Sequence, residues 1–346
     1  MSTIGTGCAA VTLTAQAYLQ ECPYRIETMT RAKQILFLIP LLILYACKQQ
    51  VDTINSHSRF EVVTVKEEIS EPISDIYPPS LHADGWYEPI PLSGGINTSG
   101  GEDSPYFDAS RNALFFFFTP DTQIPATEQL NDGFTGIYVS YLVDETWSEA
   151  ERVWLNDPKG ATLDGCPTVS GNTLWFCSVR EGNYRSIDIW KAIYQDGSWQ
   201  RVENAGEILN VDIGIGEMDI NADNTQIVFH SDVLGGEGKS DLWTTTLING
   251  KWSSPQNLAT INTEEDESRP SLSQDGSELW FTRTYQGSPA IYRSVWNGEE
   301  WGEAQLIISQ FAGEPTLDPQ GNIYFVHHLI QDGIILDADI YIAIKK

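Results

Sequence analysis

The stretch Gly250–Thr284, GKWSSPQNLATINTEEDESRPSLSQDGSELWFTRT, holds one full repeat unit, and the rest of the chain is read against it. Trp252 opens a short strand that runs to Leu258. Asn262-Thr263 turns the chain into an acidic loop, Glu264 to Glu267, and Pro270 leads a new strand to Leu272. Gln274-Asp275-Gly276 reads as a turn, because Asp hydrogen-bonds its own backbone and Gly adopts positive φ without a Cβ penalty. Leu279-Trp280-Phe281 forms the returning strand.

The same order of parts recurs. Trp86, Trp147, Trp199, Trp252 and Trp301 each open a strand, 49 to 61 residues apart. Apolar hairpin strands follow in step: Leu114-Phe115-Phe116, Leu174-Trp175-Phe176, Ile227-Val228-Phe229, Leu279-Trp280-Phe281 and Ile323-Tyr324-Phe325. A third series carries Ile137-Tyr138, Ile189-Trp190, Leu242-Trp243, Ile291-Tyr292 and Ile340-Tyr341, three of them preceded by Asp188, Asp241 and Asp339. Helical periodicity is nearly absent beyond the first 50 residues, so the chain reads as all-β. Four short strands in a period near 50 residues predict a β-propeller. The series opens with a lone Trp strand, Trp86 to Leu92, and its last unit, Gly313 to Ile344, lacks one. The expectation is therefore a five-bladed propeller over residues 85–346, its last blade completed by the N-terminal strand, which removes the open edge. Inner strands are expected to begin at Pro105, Pro167, Met218, Pro270 and Pro315.

In these residues the chain resembles the WD40-like, TolB-type propeller repeats of bacterial envelope proteins. The matching features are Trp252-Ser253-Ser254-Pro255, Asn262-Thr263, Pro270, Asp275-Gly276 and Trp280-Phe281, with Asn97-Thr98 repeating the Asn-Thr pair. Two departures are the turn Val169-Ser170-Gly171-Asn172 and Met218 in place of Pro. The resemblance implies binding or scaffolding at the envelope and no single reaction, since a fold does not fix a function.

A formal charge of −28 argues against nucleic-acid binding, which Lys and Arg would have to carry. Upstream, Met29 to Lys33 is basic and Ile35 to Ala46 is apolar, too short and Pro-broken for a membrane span but suited to a secretory signal. Leu44-Tyr45-Ala46-Cys47 resembles a bacterial lipobox, in which the Cys becomes the lipid-bearing first residue. Residues 1–46 are accordingly read as leader and signal with a start at Met29, and 47–84 as a flexible tether. The expected address is the bacterial cell envelope, on the periplasmic side or at the outer membrane, as a lipid-anchored monomer.

Two loop sets converge on one face of such a propeller. One brings Glu102, Asp103, Asp164, Glu217, Asp266, Glu267 and Glu314. The other brings Arg180, His230, Asp232, Arg283, His327 and His328. Because acids recur in every unit, many of them read as acceptors for turn N–H groups. The candidate ligand-binding set is Asp103, Asp164, Arg180, Glu217, His230, Asp266, Arg269, Arg283, Glu314 and His327. Such a ring suits a carbohydrate or an envelope-protein partner, bound without catalysis. The rival is glycoside hydrolysis by paired carboxylates. Five-bladed propellers similar to arabinanases and fructosidases hydrolyse sugars with acids from different blades, and Asp103, Asp164 and Glu217 are the analogous positions. A purely structural envelope scaffold is the third reading. No Cys/His cluster has zinc spacing, so no metal or cofactor is expected, apart from loosely held Ca2+ at Asp337-Ala338-Asp339 or the acidic ring. Counting back from a Gly171-Asn172 turn opposes Cys166 and Cys177, leaving open both a disulfide and two reduced thiols. The longest insertion, Thr119 to Thr135, reads as a lid, a partner loop or a mobile surface loop.

Overall fold

The computed structural model describes residues 58–59, 62–63, 75–130, 132–155 and 161–346; Cys47 and its signal lie outside them. The described chain is all-β. Strands β1 (Ser80–Leu81) and β2 (Ile90–Pro91) precede the repeats. The first unit supplies β3 (Gly101–Asp108), β4 (Ala113–Thr119), β5 (Gly136–Val143), β6 (Thr146–Trp147) and β7 (Glu151–Arg152). The second supplies β8 (Leu163–Ser170), β9 (Thr173–Val179), β10 (Asp188–Gln195) and β11 (Ser198–Asn204). The third supplies β12 (Met218–Ile220), β13 (Gln226–Ser231), β14 (Asp241–Ile248), β15 (Lys251–Trp252) and β16 (Gln256–Asn257). The fourth supplies β17 (Glu267–Leu272), β18 (Glu278–Tyr285), β19 (Ser288–Val295) and β20 (Gln305–Ser309), and the fifth β21 (Ala312–Leu317), β22 (Ile323–Gln331) and β23 (Ile334–Ala343).

Within each unit, successive strands pair antiparallel in sequence order, except that β7 returns to β5 and β16 to β14. Strand β2 lies on β23, with Ile90 opposite Ile342, and Trp86 bridges Lys345. One parallel pairing, Ala338 with Gly101, links the fifth unit to the first in the same sheet. Strand β1 lies outside β20, pairing Ser80 with Ser309, so the stretch assigned to a tether by its composition is partly ordered. Asp75, Tyr77 and His82 continue that contact: Asp75 faces His327 at 3.1 Å, Tyr77 meets Phe311 at 5.5 Å between rings, and His82 bonds Ser309 at 2.8 Å.

The apolar runs are continuous because each strand is buried on both faces, and alternate residues enter different cores. Phe115 packs with Leu174 and Phe176 of the second unit. Its neighbours Leu114 and Phe116 pack with Tyr324 and Ile340 of the fifth. Trp175 joins Ile227 and Phe229, Val228 joins Leu279 and Phe281, and Trp280 joins Ile323, Phe325 and Trp86. Burying one such ring contributes about 2–3 kcal/mol, so the cores between units dominate stability.

Buried asparagines tie these joints together. Asn262 accepts from Leu242 N–H and donates to Leu242 C=O, capping β14 with its amide. Asn97 does the same to Ile340 of β23, and Asn210 to Ile189 of β10. Asp188 and Asp241 accept two N–H groups each from the turns before them, at Tyr184 and Arg185 and at Glu237 and Gly238. The Thr119–Thr135 insertion contains a single helical turn, Ala126–Gln129.

Four inner strands begin earlier than a Pro start predicts, whereas β12 begins at Met218 as expected. Strands β3, β8, β17 and β21 each run through the Pro after a register shift at the residue before it. Pro lacks the N–H a ladder needs, and a bulge takes it out of the pairing. The same bulge moves the cysteines by one place: Cys177 faces Gly165, and Cys166 sits in the bulge. The two sulfurs are nevertheless joined as a disulfide, with Cα atoms 5.5 Å apart.

Candidate functional site

In four units the bulge aims one residue toward a shared cavity. Ser104, Cys166, Arg269 and Glu314 hold φ of 50°, 50°, 51° and 56°, a left-handed conformation costing non-glycine residues about 1–3 kcal/mol each. Glu217 is the equivalent residue of the third unit, where β12 starts later. These five line one cavity of about 40 Å³, with Asp219 and, in four of the units, the Pro that follows. That volume holds a few waters.

Charge is concentrated in this ring. Arg269 lies between two carboxylates, with Glu217 at 3.3 Å on one side and Glu314 in direct contact on the other. Burial pushes Glu217 above the ordinary carboxylate range, while Arg269 pulls it down and Asp103 pushes it further up. Burial pushes Glu314 well above that range too, against Arg269. Asp103 goes the other way. Burial would raise it, but His328, Arg269 and Glu314 together hold it below its usual value. His328 Nε2 stands 3.9 Å from the Asp103 carboxylate, and Ser104 N–H donates to Asp103 at 2.7 Å.

His230 ties two ring positions by their backbone. Its Nδ1 accepts from Glu217 N–H at 3.2 Å and Arg269 N–H at 3.4 Å. Burial and Arg269 depress it to about 3, so it is neutral and Nδ1 is free to accept. Gly216 makes room for the ring, since a Cβ there would meet His230 Nε2 at 2.2 Å. Asp219, two residues on, accepts from Leu272 N–H at 2.7 Å and is pushed up to about 7 by burial.

Asp103, Glu217, His230, Arg269 and Glu314 thus come together, whereas Asp164, Arg180, Asp266, Arg283 and His327 stand elsewhere. Asp164 pairs with Arg180 at 2.5 Å and accepts from Ser178. Arg283 pairs with Glu267 at 2.6 Å, and Glu267 also takes the Thr263 N–H and hydroxyl. Asp266 accepts from Lys239 and Ser240 N–H groups of the preceding unit, and His327 reaches Asp75. These acids serve joints between units. Ser104, Cys166 and Asp219 line the cavity outside the expected set; the place before an inner-strand Pro is the signal for Ser104 and Cys166, and Asp219 has none. Among the described residues no group of three or more His, Cys, Asp or Glu is arranged to hold a metal ion, Asp337 and Asp339 included. No described helix is long and apolar enough to cross a membrane.

No protein-family description matches the chain, and no curated protein matches it. Several solved structures are similar at low identity. TolB from Acinetobacter baumannii is 16% identical with a TM-score of 0.44, over 72% of this chain and 55% of that one. A gluconolactonase from Xanthomonas campestris is 9% identical with a TM-score of 0.44, over 79% and 96%. An arabinanase from Bacillus subtilis is 12% identical with a TM-score of 0.43, over 72% and 95%. The chain spans about half the length of that TolB. At these scores the likenesses carry no argument about substrate or partner.

Proposed function

We propose that residues 85–346 form a five-bladed β-propeller closed by its N-terminal strand, and that the protein is a non-catalytic binding module anchored to the bacterial envelope through lipid on Cys47. Hydrogen bonds in cyclic order support the blade count. Tyr106 hydroxyl donates to Val169, Thr168 to Met218, and Leu272 N–H to Asp219. Glu314 N–H donates to Thr282, and Phe107 N–H to Thr316, returning the series from the fifth unit to the first. The β2–β23 pairing supports closure.

The observation that carries the non-catalytic reading is the occupancy of the ring by its own charges. Arg269 bridges Glu217 and Glu314, and the space left is about 40 Å³. A pocket that encloses a small ligand runs to about 300 Å³ or more. A carbohydrate or an envelope protein would therefore meet the loops at the mouth of the channel, with Asp103 and His328 nearest to it.

One observation favours the hydrolase: Asp103 is held low while Glu314 is held high, the split an acid–base pair requires. The full-length protein screened against a glycan panel separates the readings. A thermal shift without turnover supports binding. Turnover that Asp103→Asn abolishes replaces it with hydrolysis, and co-purifying envelope proteins without any glycan shift favour a scaffold. Intact mass of the native protein tests the lipid on Cys47.

A further inference from the structure

We propose that the first unit carries a binding site for a guanidinium group, and that Arg59 fills it as a ligand delivered from outside the repeats. Two other units show what the site is built from. In the fourth, Arg283 lies 5.3 Å over Phe281 and 4.7 Å over Tyr292, pairs with Glu267 and donates to Ile261 C=O. In the second, Arg180 lies 5.1 Å over Phe176 and 5.0 Å over Trp190, pairs with Asp164 and donates to Leu155 C=O at 3.1 Å. Each combines a face of two aromatic rings, one carboxylate and one carbonyl. These are the elements that hold a planar cation by stacking and forked hydrogen bonds.

The first unit repeats the receptor but not the arginine. Phe116, Tyr138 and Glu102 stand where Phe281, Tyr292 and Glu267 stand, and Glu102 takes the Thr98 N–H and hydroxyl as Glu267 takes those of Thr263. At the strand position of Arg283, however, the first unit has Phe118. Arg59 enters from 43 residues upstream of Glu102 and donates to it at 2.8 Å and to Gly95 C=O at 2.6 Å. Its guanidinium lies 5.0, 5.1 and 5.4 Å from the rings of Phe116, Phe118 and Tyr138. Only 3% of Arg59 is exposed. Val63, four residues further on, is buried in the same apolar cluster as Phe116 and Phe118.

The difference in delivery is what makes the first site a binding site. Arg180 and Arg283 adjoin or belong to strands of their own sheets and cannot leave without breaking them. Arg59 belongs to no sheet strand and can leave with the ladder intact. The ligand class is an arginine side chain with an apolar residue four positions later. Lysine is a poor substitute, because a point charge cannot stack on the rings and span carboxylate and carbonyl together.

Chemical rescue of full-length Arg59→Ala tests this. The variant should unfold about 5 °C or more below wild type. Millimolar N-ethylguanidinium should restore part of that loss, whereas ethylammonium at equal ionic strength should not. A synthetic peptide of residues 55–66 should bind the variant about tenfold or more tightly than the same peptide with Arg59→Lys. Equal rescue by both cations, an unchanged midpoint, or equal binding of both peptides would overturn the proposal. Should Arg59→Ala not fold, full-length Arg59→Lys supplies the same readout: recovery by N-ethylguanidinium alone supports the site, and none sinks it.

Discussion

Two rings of residues lie two positions apart on the same inner strands and follow opposite rules. The outer one repeats its chemistry: Glu102, Asp164 and Glu267 each accept from a hydroxyl and pair with an arginine. The inner one repeats only its backbone: Ser104, Cys166, Arg269 and Glu314 share one left-handed conformation and have nothing else in common. Chemistry is repeated where units must be joined, since each joint poses the same buried hydrogen-bonding problem. It varies where the backbone delivers a side chain to the shared cavity. Function is therefore to be sought in the inner ring, and stability in the outer.

The largest effect that could break this contrast is in the outer ring. Glu267→Ala leaves Arg283 buried without its carboxylate and strips the Thr263 turn of its acceptor. The expected loss is about 3–5 kcal/mol in denaturant unfolding. A loss under about 1 kcal/mol would show that the joint does not rest on this pair.

The next test concerns Asp219, which lies beside the inner ring without a cation. Folded, it keeps its proton up to about pH 7; unfolded, it loses it near 3.8. Its contribution is thus present at low pH and lost as pH rises from 4 to 7, by up to about 4 kcal/mol. Buried His230 acts in the opposite sense, adding stability as pH rises from about 3 toward 6.5. Asp219→Asn should remove the declining component, so its stability relative to wild type should improve as pH rises from 4 to 7. A wild-type-minus-variant difference that is flat in pH would refute the assignment.

The smallest effect is expected at Glu217→Gln. Glu217 is already raised toward its neutral form, and Arg269 keeps Glu314 as a partner. Unfolding at neutral pH should shift by less than about 1 kcal/mol. A larger loss would move Glu217 into the class of joint residues.

The repeats were legible because local chemistry writes them. Asn97, Asn210 and Asn262 mark loops whose side chains must cap a neighbouring strand, and Trp280-Phe281 announces burial on both faces. The bulges were not legible, because a register shift is a long-range property of two paired strands. Counting residues back from Gly171 therefore opposed Cys166 to Cys177, when Gly165 is the residue opposite. The acids were legible as a set but not by role: Asp164 and Glu217 look alike in sequence, yet Asp164 pairs with Arg180 away from the cavity and Glu217 lines it. Arg59 had no local signal at all. Its one trace is Phe118, an aromatic residue where the fourth unit carries Arg283.

The pairing of β1 with β20 has a mechanical consequence. Between the contacts of Arg59, Val63 and Asp75 and the β2–β23 junction, that two-residue strand holds the chain to the sheets. Once a pull on the N-terminal side has freed Arg59, Val63 and Asp75, it is borne next by the Ser80–Ser309 and Leu81–Ile308 pairings, and only after they part does the load reach the β2–β23 junction. The short outer strand is a sacrificial link: it yields under tension while the sheets behind it stay whole.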